Sequence, residues 1–183
     1  KRHKAYEDFE AGAKDLVARG VTSAARLGCQ GGSNGGLLTG NMLARSPDLF
    51  GAIVCQVPLL DMKRYNKLLA GASWMGEYGD PEEEWDAFLS QYSPYHLVDE
   101  ATTYPPILFT TSTRDDRVHP GHARKMVRKL LDLGKEGTTY YYENIEGGHG
   151  GAADAKQSAY VVALYQDFLF CALGGKRAGC GDP

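Results

Sequence analysis

The sequence predicts an α/β fold with a parallel sheet of about four strands and helices on both faces. Three observations lead to this prediction. Short runs of apolar or β-branched residues recur along the chain, and longer runs with apolar residues at helical spacing separate them. Continuous apolar runs are typical of strands that a parallel sheet buries on both faces. The length of 183 residues favours one domain.

The predicted elements alternate in chain order. One face of a helix over 5–19 carries five apolar residues: Tyr6, Phe9, Ala13, Leu16 and Val17. The pattern then predicts strands at 27–30, 52–55, 107–111 and 138–142, and helices at 37–45, 120–133 and about 153–173. Pro120 suits the first turn of its helix and Gly134 its C-terminal cap. Residues 58–104 read as irregular, and the acidic run Glu82–Glu84 predicts a solvated helix start.

Composition excludes several classes of partner. The net charge is −3 and no large basic cluster is present, so we expect no nucleic-acid partner. No uninterrupted apolar run approaches the roughly 20 residues that cross a bilayer, so we expect no membrane span. Cys29 and Cys55 lie in strand-like runs, which indicates buried free thiols. His119 and His122 have H-x-x-H spacing, but their place at a helix start favours exposed or capping histidines. We therefore expect no metal and no cofactor.

The two ends of the chain set the expected domain boundaries. The sequence opens on a basic run, residues 1–4, directly before a helix and without an initiator methionine, so we interpret it as a fragment. The compartment stays open between cytoplasm and periplasm. Residues 174–183 are rich in glycine and predict a disordered tail. The folded domain is therefore expected to cover residues 1–173.

A glycine-rich hexapeptide at residues 31–36 follows the first predicted strand and precedes a helix. Gly31, Ser33 and Gly35 within it match the G-x-S-x-G pattern of a nucleophile elbow. In such a turn the serine adopts a strained backbone conformation, glycines relieve the clashes, and the hydroxyl is exposed above the sheet. The following helix directs free N–H groups at the same point. The pattern also occurs by chance, since a glycine-rich loop can be an ordinary turn.

Reactive residues follow two more of the predicted strands. Asp115 and Asp116 come after the strand at 107–111, and His149, with two glycines on each side, comes after the strand at 138–142. The chain order Ser, Asp, His suits a triad in which the histidine removes the serine proton and the carboxylate orients the imidazole. The alternatives are a turn or helix cap for the aspartates and a plain loop residue for His149. The pattern alone does not choose between Asp115 and Asp116.

Four motifs together resemble the catalytic domain of the prolyl oligopeptidase family of serine peptidases, over residues from about 6 to 173. They are the hexapeptide at 31–36, the Asp-Asp-Arg-Val run at 115–118, the Gly-His-Gly run at 148–150 and the Gly-Ala-Ser-Trp run at 71–74. The resemblance implies the C-terminal part of an α/β-hydrolase catalytic domain. It also implies Ser33 as nucleophile, Asp115 as orienting carboxylate and His149 as base. The backbone N–H of Asn34 would be one donor to the oxyanion.

The same resemblance implies a substrate pocket and an activity. Arg117 would hold a substrate carbonyl, and Trp74 would stack on a proline ring, which a flat aromatic face suits at low entropy cost. Tyr78, Leu59 and Val118 would form further walls. The expected reaction is hydrolysis of short peptides on the carboxyl side of proline. The alternatives are a surface ion pair for Arg117 and ordinary core packing for Trp74.

Family enzymes also carry parts for which this sequence has no room. They have a β-propeller, several further hydrolase strands and a tyrosine that supplies a second oxyanion donor, all before the position that corresponds to residue 1. We expect these parts to be partners of this chain in a parent protein, and the fragment alone to be poorly active. Two rival hypotheses stay open. One is a hydrolase of the same fold with another specificity: an oligopeptidase, an aminopeptidase-like enzyme or an esterase. The other is a non-catalytic interaction module.

Overall fold

The computed structural model describes residues 2–180, and the sheet in that part of the chain has four parallel strands. These strands lie side by side in chain order: β1 (Gly28–Gly32), β2 (Ala52–Gln56), β3 (Ile107–Ser112) and β4 (Thr139–Asn144). The register pairs Gly32 with Gln56 and Ser112 with Asn144. All four carboxyl ends therefore lie along one edge of the sheet, where the loops of α/β proteins carry chemistry. The predicted parallel sheet is confirmed.

Seven α-helices accompany these strands in the described residues. They are α1 (His3–Ala18), α2 (Asn34–Arg45), α3 (Met75–Tyr78), α4 (Pro81–Glu84), α5 (Pro94–Leu97), α6 (Gly121–Asp132) and α7 (Ala155–Ala172). The acidic run begins a helix as predicted, because it lies in α4 and the Asp80 side chain caps it by accepting a hydrogen bond from the Glu82 N–H at 2.9 Å. None of these seven helices combines the length and the apolar character that crossing a membrane would need.

Helices cover both faces of the sheet, as predicted. Side chains alternate along a strand, so Ile53 and Cys55 of β2 face one side and Val54 faces the other. The first side packs against apolar residues of α2 and α6 in the larger core. On the second side, Val54 and neighbouring Leu108 pack against α7 in a smaller cluster. β2 and β3 are therefore buried from both directions, which explains their unbroken apolar sequences.

The first helix covers another helix as well as the edge of the core. Tyr6 and Ala13 of α1 are buried, and α1 contacts α2 and the turn after it. Phe9 and Leu16, which belong to the predicted apolar face, each keep more than a third of their surface exposed. A helix that packs on another helix buries a narrower stripe than one that lies flat on a sheet, so the predicted face is only partly covered.

The segment between β2 and β3, read as irregular from the sequence, is ordered by buried tyrosines. The rings of Tyr65 and Tyr78 meet edge to face, with centroids 5.5 Å apart. The Tyr92 hydroxyl donates a hydrogen bond to the backbone carbonyl of Tyr78 at 2.7 Å. Short helices and 3₁₀ turns linked in this way have no long period, which explains why the sequence pattern did not show them.

The cysteines divide into two kinds. Cys29 and Cys55 are buried free thiols, as predicted, and burial raises the pKa of each to about 12. Cys171 and Cys180 form a disulfide that ties residues 174–180, which make turns, back to the end of α7. Residues 181–183 lie outside the described part of the chain. The disordered tail and the boundary at 173 stay predictions.

Candidate active site

Ser33 occupies the tight turn between β1 and α2, with φ of 58° and ψ of −115°. It is one of three residues other than glycine with positive φ in the described chain. Such a conformation costs on the order of 1–3 kcal/mol and persists only where the surroundings enforce it. Here the Ser33 N–H donates to the carbonyl of Gln56 at 2.9 Å and its carbonyl accepts from the Leu37 N–H. The hydroxyl therefore lies at the sheet edge, on a fixed backbone.

The glycines around Ser33 do not all serve the same purpose. A Cβ atom on Gly31 would lie 2.4 Å from the carbonyl oxygen of Gly35, so the two backbones approach too closely for any side chain. A Cβ atom on Gly35 itself would meet nothing within 4 Å. On Gly36 it would lie 2.6 Å from Pro58 Cβ. The expectation that both flanking glycines relieve clashes is therefore correct for Gly31 and wrong for Gly35, whereas Gly36 is needed for packing.

Asp115 and His149 meet beyond the ends of β3 and β4. Asp115 Oδ2 lies 2.8 Å from His149 Nδ1, and the carboxylate is fully buried. Its other oxygen, Oδ1, accepts hydrogen bonds from the backbone N–H groups of Arg117 and Val118, each at 2.9 Å. These bonds fix the carboxylate in the turn. Asp116 is exposed, so the structure distinguishes two aspartates that the residue pattern alone could not, and the buried one is the Asp115 that the family resemblance implies.

His149 lies in the loop between β4 and α7 and keeps 22 % of its side chain exposed. A Cβ atom on Gly147 would lie 2.8 Å from the backbone nitrogen of Ala152, and Gly151 has a φ of +81°. The two sides of this glycine-rich loop thus approach each other closely at the backbone. Within residues 2–180 no hydrogen bond joins the Ser33 hydroxyl to His149. The structure brings together the Asp115 carboxylate and the His149 imidazole, while the Ser33 hydroxyl lies at the same edge without a hydrogen bond to the imidazole. Catalytic hydrogen bonds are often long before substrate binds.

Asn34 begins α2, so its backbone N–H has no acceptor within the helix and is free to donate a hydrogen bond to an oxyanion. Its side-chain oxygen accepts a hydrogen bond from the Tyr78 hydroxyl at 3.0 Å. Burial raises the pKa of Tyr78 to about 12, which keeps the hydroxyl protonated. The Arg2 guanidinium also contacts the Asn34 side-chain oxygen and lies 5.0 Å from the centre of the Tyr78 ring. The sequence did not indicate Arg2, since no local pattern links residue 2 to the turn.

The other predicted substrate contacts differ in their access to solvent. Trp74 is half-buried and packs on the core at the end of the 3₁₀ segment Leu69–Trp74. The Arg117 side chain is exposed and makes no ion pair within the described residues, and its carbonyl accepts from the N–H of Ala70 at 3.3 Å. The Trp74 segment is thereby tied to the Asp115 turn. Leu59 and Val118 are each 2 % exposed, so they offer a ligand almost no surface.

The sheet with its helices and the elbow at its carboxyl edge define a domain of the α/β-hydrolase fold. The chain belongs to the prolyl oligopeptidase family, whose model matches residues 1–176. The family predicted from the motifs is therefore confirmed.

Relatives and a solved structure show the same similarity. An uncharacterized peptidase of Sinorhizobium fredii is 51 % identical over 170 residues, which cover 92 % of this chain and 23 % of the relative. A prolyl endopeptidase of Elizabethkingia meningoseptica is 37 % identical over 171 residues, covering 92 % of this chain and 24 % of the enzyme. A structure from a study of two prolyl endopeptidases superposes with a TM-score of 0.92 at 40 % identity, covering 96 % of this chain and 26 % of that one. The chain thus spans about a quarter of the length of the proteins it matches.

Proposed function

We propose that this chain carries the catalytic triad of a serine peptidase that cleaves short peptides on the carboxyl side of proline. Ser33 attacks the scissile carbonyl, His149 takes the hydroxyl proton and returns it to the leaving amine, and Asp115 orients the imidazole. The observation that carries the proposal is the 2.8 Å contact between His149 Nδ1 and the buried Asp115 carboxylate, on the same sheet edge as the elbow serine.

Within the described residues we assign one donor to the proposed oxyanion site. The Asn34 N–H supplies one donor, and removal of one such donor costs a typical enzyme about 3–4 kcal/mol of transition-state stabilisation. Relatives are about four times as long as this chain. We therefore infer that full activity requires a protein of the relatives' length. In such a protein, upstream residues would supply a second donor and a β-propeller would limit entry to short peptides.

The triad is tested with a fluorophosphonate probe, which reacts covalently with activated serines, on a full-length protein that carries this chain. We expect labelling at Ser33 that Ser33→Ala abolishes. Asp115→Asn should slow turnover by about 10⁴-fold, since an amide holds the imidazole in the wrong tautomer. Asp116→Asn is the matched control, and its exposed side chain should leave turnover near that of the unchanged protein. Absence of labelling would refute the assignment as a serine peptidase and favour a non-catalytic interaction module.

Proline specificity is supported by the half-buried Trp74 and by the names of the relatives. The test is a panel of chromogenic peptides that differ only in the residue before the cleaved bond. We expect kcat/KM for proline to exceed that for arginine or alanine. Trp74→Ala should lower the value for proline by on the order of tenfold and the others little, because stacking on an aromatic ring contributes about 0.5–1.5 kcal/mol. A preference for arginine, or for esters alone, would assign the chain to another hydrolase.

A further inference from the structure

The loop that carries His149 has little backbone structure of its own. It runs from the end of β4 at Asn144 to the N-cap of α7 at Asp154. One backbone hydrogen bond lies within it, from the Gly151 N–H to the Gly148 carbonyl at 3.0 Å. A histidine on such a loop holds a fixed position only if side chains fix the loop ends.

The first loop end is fixed by Asn144, which is 5 % exposed. Its side-chain oxygen accepts hydrogen bonds from the N–H groups of Glu146 at 2.9 Å and Gly147 at 2.7 Å. This Asx-type turn sets the direction in which the chain leaves the strand. The Asn144 backbone carbonyl also accepts from the Thr113 N–H at 2.8 Å, which joins the turn to the Asp115 side of the site.

The second loop end is joined to the first by Gln157 on the first turn of α7. Its Oε1 accepts from the side-chain amide of Asn144 and from the backbone N–H of Ala153, each at 2.9 Å. Its Nε2 donates to Glu146 Oε2 at 2.9 Å. Two amide side chains therefore link the two ends of the loop, and Gly147 closely approaches Ala152 between them.

We propose that Asn144 and Gln157 act as an amide clamp: positioning residues that hold His149 at hydrogen-bond distance from Asp115. Neither amide bonds to His149 or to the Asp115 side chain, so the clamp acts through the loop backbone. This inference rests on the proposed function, because positioning has a catalytic effect only if His149 is the base. The rival explanation is that Gln157 and Asp154, whose side chain accepts from the Gln157 N–H, only cap α7.

The experiment measures kcat, KM and the thermal midpoint of Asn144→Ala, Gln157→Ala and the double variant in a full-length protein that carries this chain. We expect Asn144→Ala to lower kcat about ten- to a hundred-fold, the effect of a misplacement of about 1 Å, with KM within about twofold. The double variant should be no worse than the more damaging single variant, because both break one clamp. A fall in thermal midpoint with unchanged kcat would overturn the proposal.

Two further variants distinguish a lost clamp from a general loss of stability. Asn144→Asp keeps the oxygen that accepts from Glu146 and Gly147, so it should recover kcat relative to the alanine variant. Asn41→Ala is the matched control, because Asn41 is a fully buried asparagine that donates to the carbonyls of Leu37 and Tyr92, away from the His149 loop. We expect it to lose thermal stability and keep kcat. An equal loss of kcat in this control would refute the clamp.

Hydrogen exchange separates failure of the clamp from failure of the proposed function. In the same variants, exchange is followed for a peptide that covers residues 144–157. We expect protection of this peptide in the unchanged protein and its loss in Asn144→Ala. If the unchanged protein neither turns over substrate nor labels with the probe, the proposed function fails. Hydrogen exchange alone then decides whether Asn144 and Gln157 fix the loop. Identical exchange in all variants would overturn the clamp, whatever the activity.

Discussion

At the residue scale, His122 is a buried histidine with a structural use for its ring. It is 1 % exposed, and its Nδ1 accepts hydrogen bonds from the backbone N–H groups of Leu60 at 3.3 Å and Asp61 at 3.1 Å. Burial is the main cause that lowers the pKa of His122 to about 4; the Asp61 carboxylate opposes this shift and nearby Lys125 contributes to it. His119 instead caps its own turn by accepting from the Gly121 N–H at 2.9 Å.

His122 should make the fold sensitive to acid. A histidine in the unfolded chain titrates near 6.5, so between about pH 6.5 and 4 the unfolded state binds a proton that the folded state excludes. The free energy of unfolding then falls as the pH drops through this window, by about 2 kcal/mol between pH 7 and 5. Urea unfolding at both pH values measures the difference.

The matched variant for this prediction is His122→Asn, whose side-chain oxygen can still accept the backbone hydrogen bonds but does not titrate. We expect the pH-dependent loss to shrink by about 2 kcal/mol in this variant. His3→Asn, which removes an exposed histidine, should retain the loss. Equal acid sensitivity of His122→Asn and the unchanged protein would contradict the assignment.

Some individual residues of the site could be predicted from the sequence and others could not. Ser33 could be predicted because its special backbone conformation demands a local glycine pattern. The choice of Asp115 over Asp116 could not be made from the local pattern and came only from the family resemblance, since adjacent residues share their local sequence and differ in which one the turn buries. His122 was read as exposed or capping and is buried, because the segment that covers it is 61 or 62 residues away in the chain.

At the scale of elements, the predicted strands and helices are confirmed, with shifts of a few residues at their ends. The largest shift is at α2, which begins at Asn34 rather than Leu37. The sequence pattern does not show the first turn of α2, because the glycines at 35 and 36 are poor helix formers and have no apolar side chain. The amide clamp was not predicted at all, since Asn144 and Gln157 belong to different elements and meet only in the folded loop.

The elbow between β1 and α2 should not tolerate a side chain at position 31. Gly31→Ala would place a Cβ atom 2.4 Å from the backbone oxygen of Gly35, which cannot move without opening the turn. We expect the free energy of unfolding to fall by about 1–3 kcal/mol, as for an overpacked site, and fluorophosphonate labelling of Ser33 to be lost. Both are measured on one preparation.

Gly35→Ala is the control for the elbow, because its Cβ atom meets nothing within 4 Å. Alanine is favoured over glycine in a helix by about 0.5–1 kcal/mol, so this variant should be as stable as the unchanged protein or more so. An equal destabilisation by both substitutions would show that the turn tolerates no change for a reason other than the Gly31 approach.

At the scale of the whole molecule, the candidate active site brings together residues that are far apart in the chain. Its serine, aspartate and histidine follow β1, β3 and β4, and the parallel sheet brings the carboxyl ends of these strands to one edge. The alternation of elements predicted parallel strands whose carboxyl ends share one edge, which placed Asp115 and His149 at the same edge, but it did not predict the order of the strands. The absence of a hydrogen bond between Ser33 and His149 in the described residues could not be predicted, because it depends on side-chain positions that no residue pattern encodes.

The whole-molecule prediction concerns the 183-residue chain on its own. Within its described residues β1 pairs on one side only, with β2, and Asn34 is the donor assigned to the oxyanion. We expect the isolated chain to hydrolyse a chromogenic proline peptide about a hundred- to a thousand-fold more slowly than a full-length protein that carries it. Turnover is expressed per fluorophosphonate-reactive serine, so that unfolded molecules do not count. Equal turnover per labelled serine would contradict the prediction and show that residues 1–183 hold a complete oxyanion site.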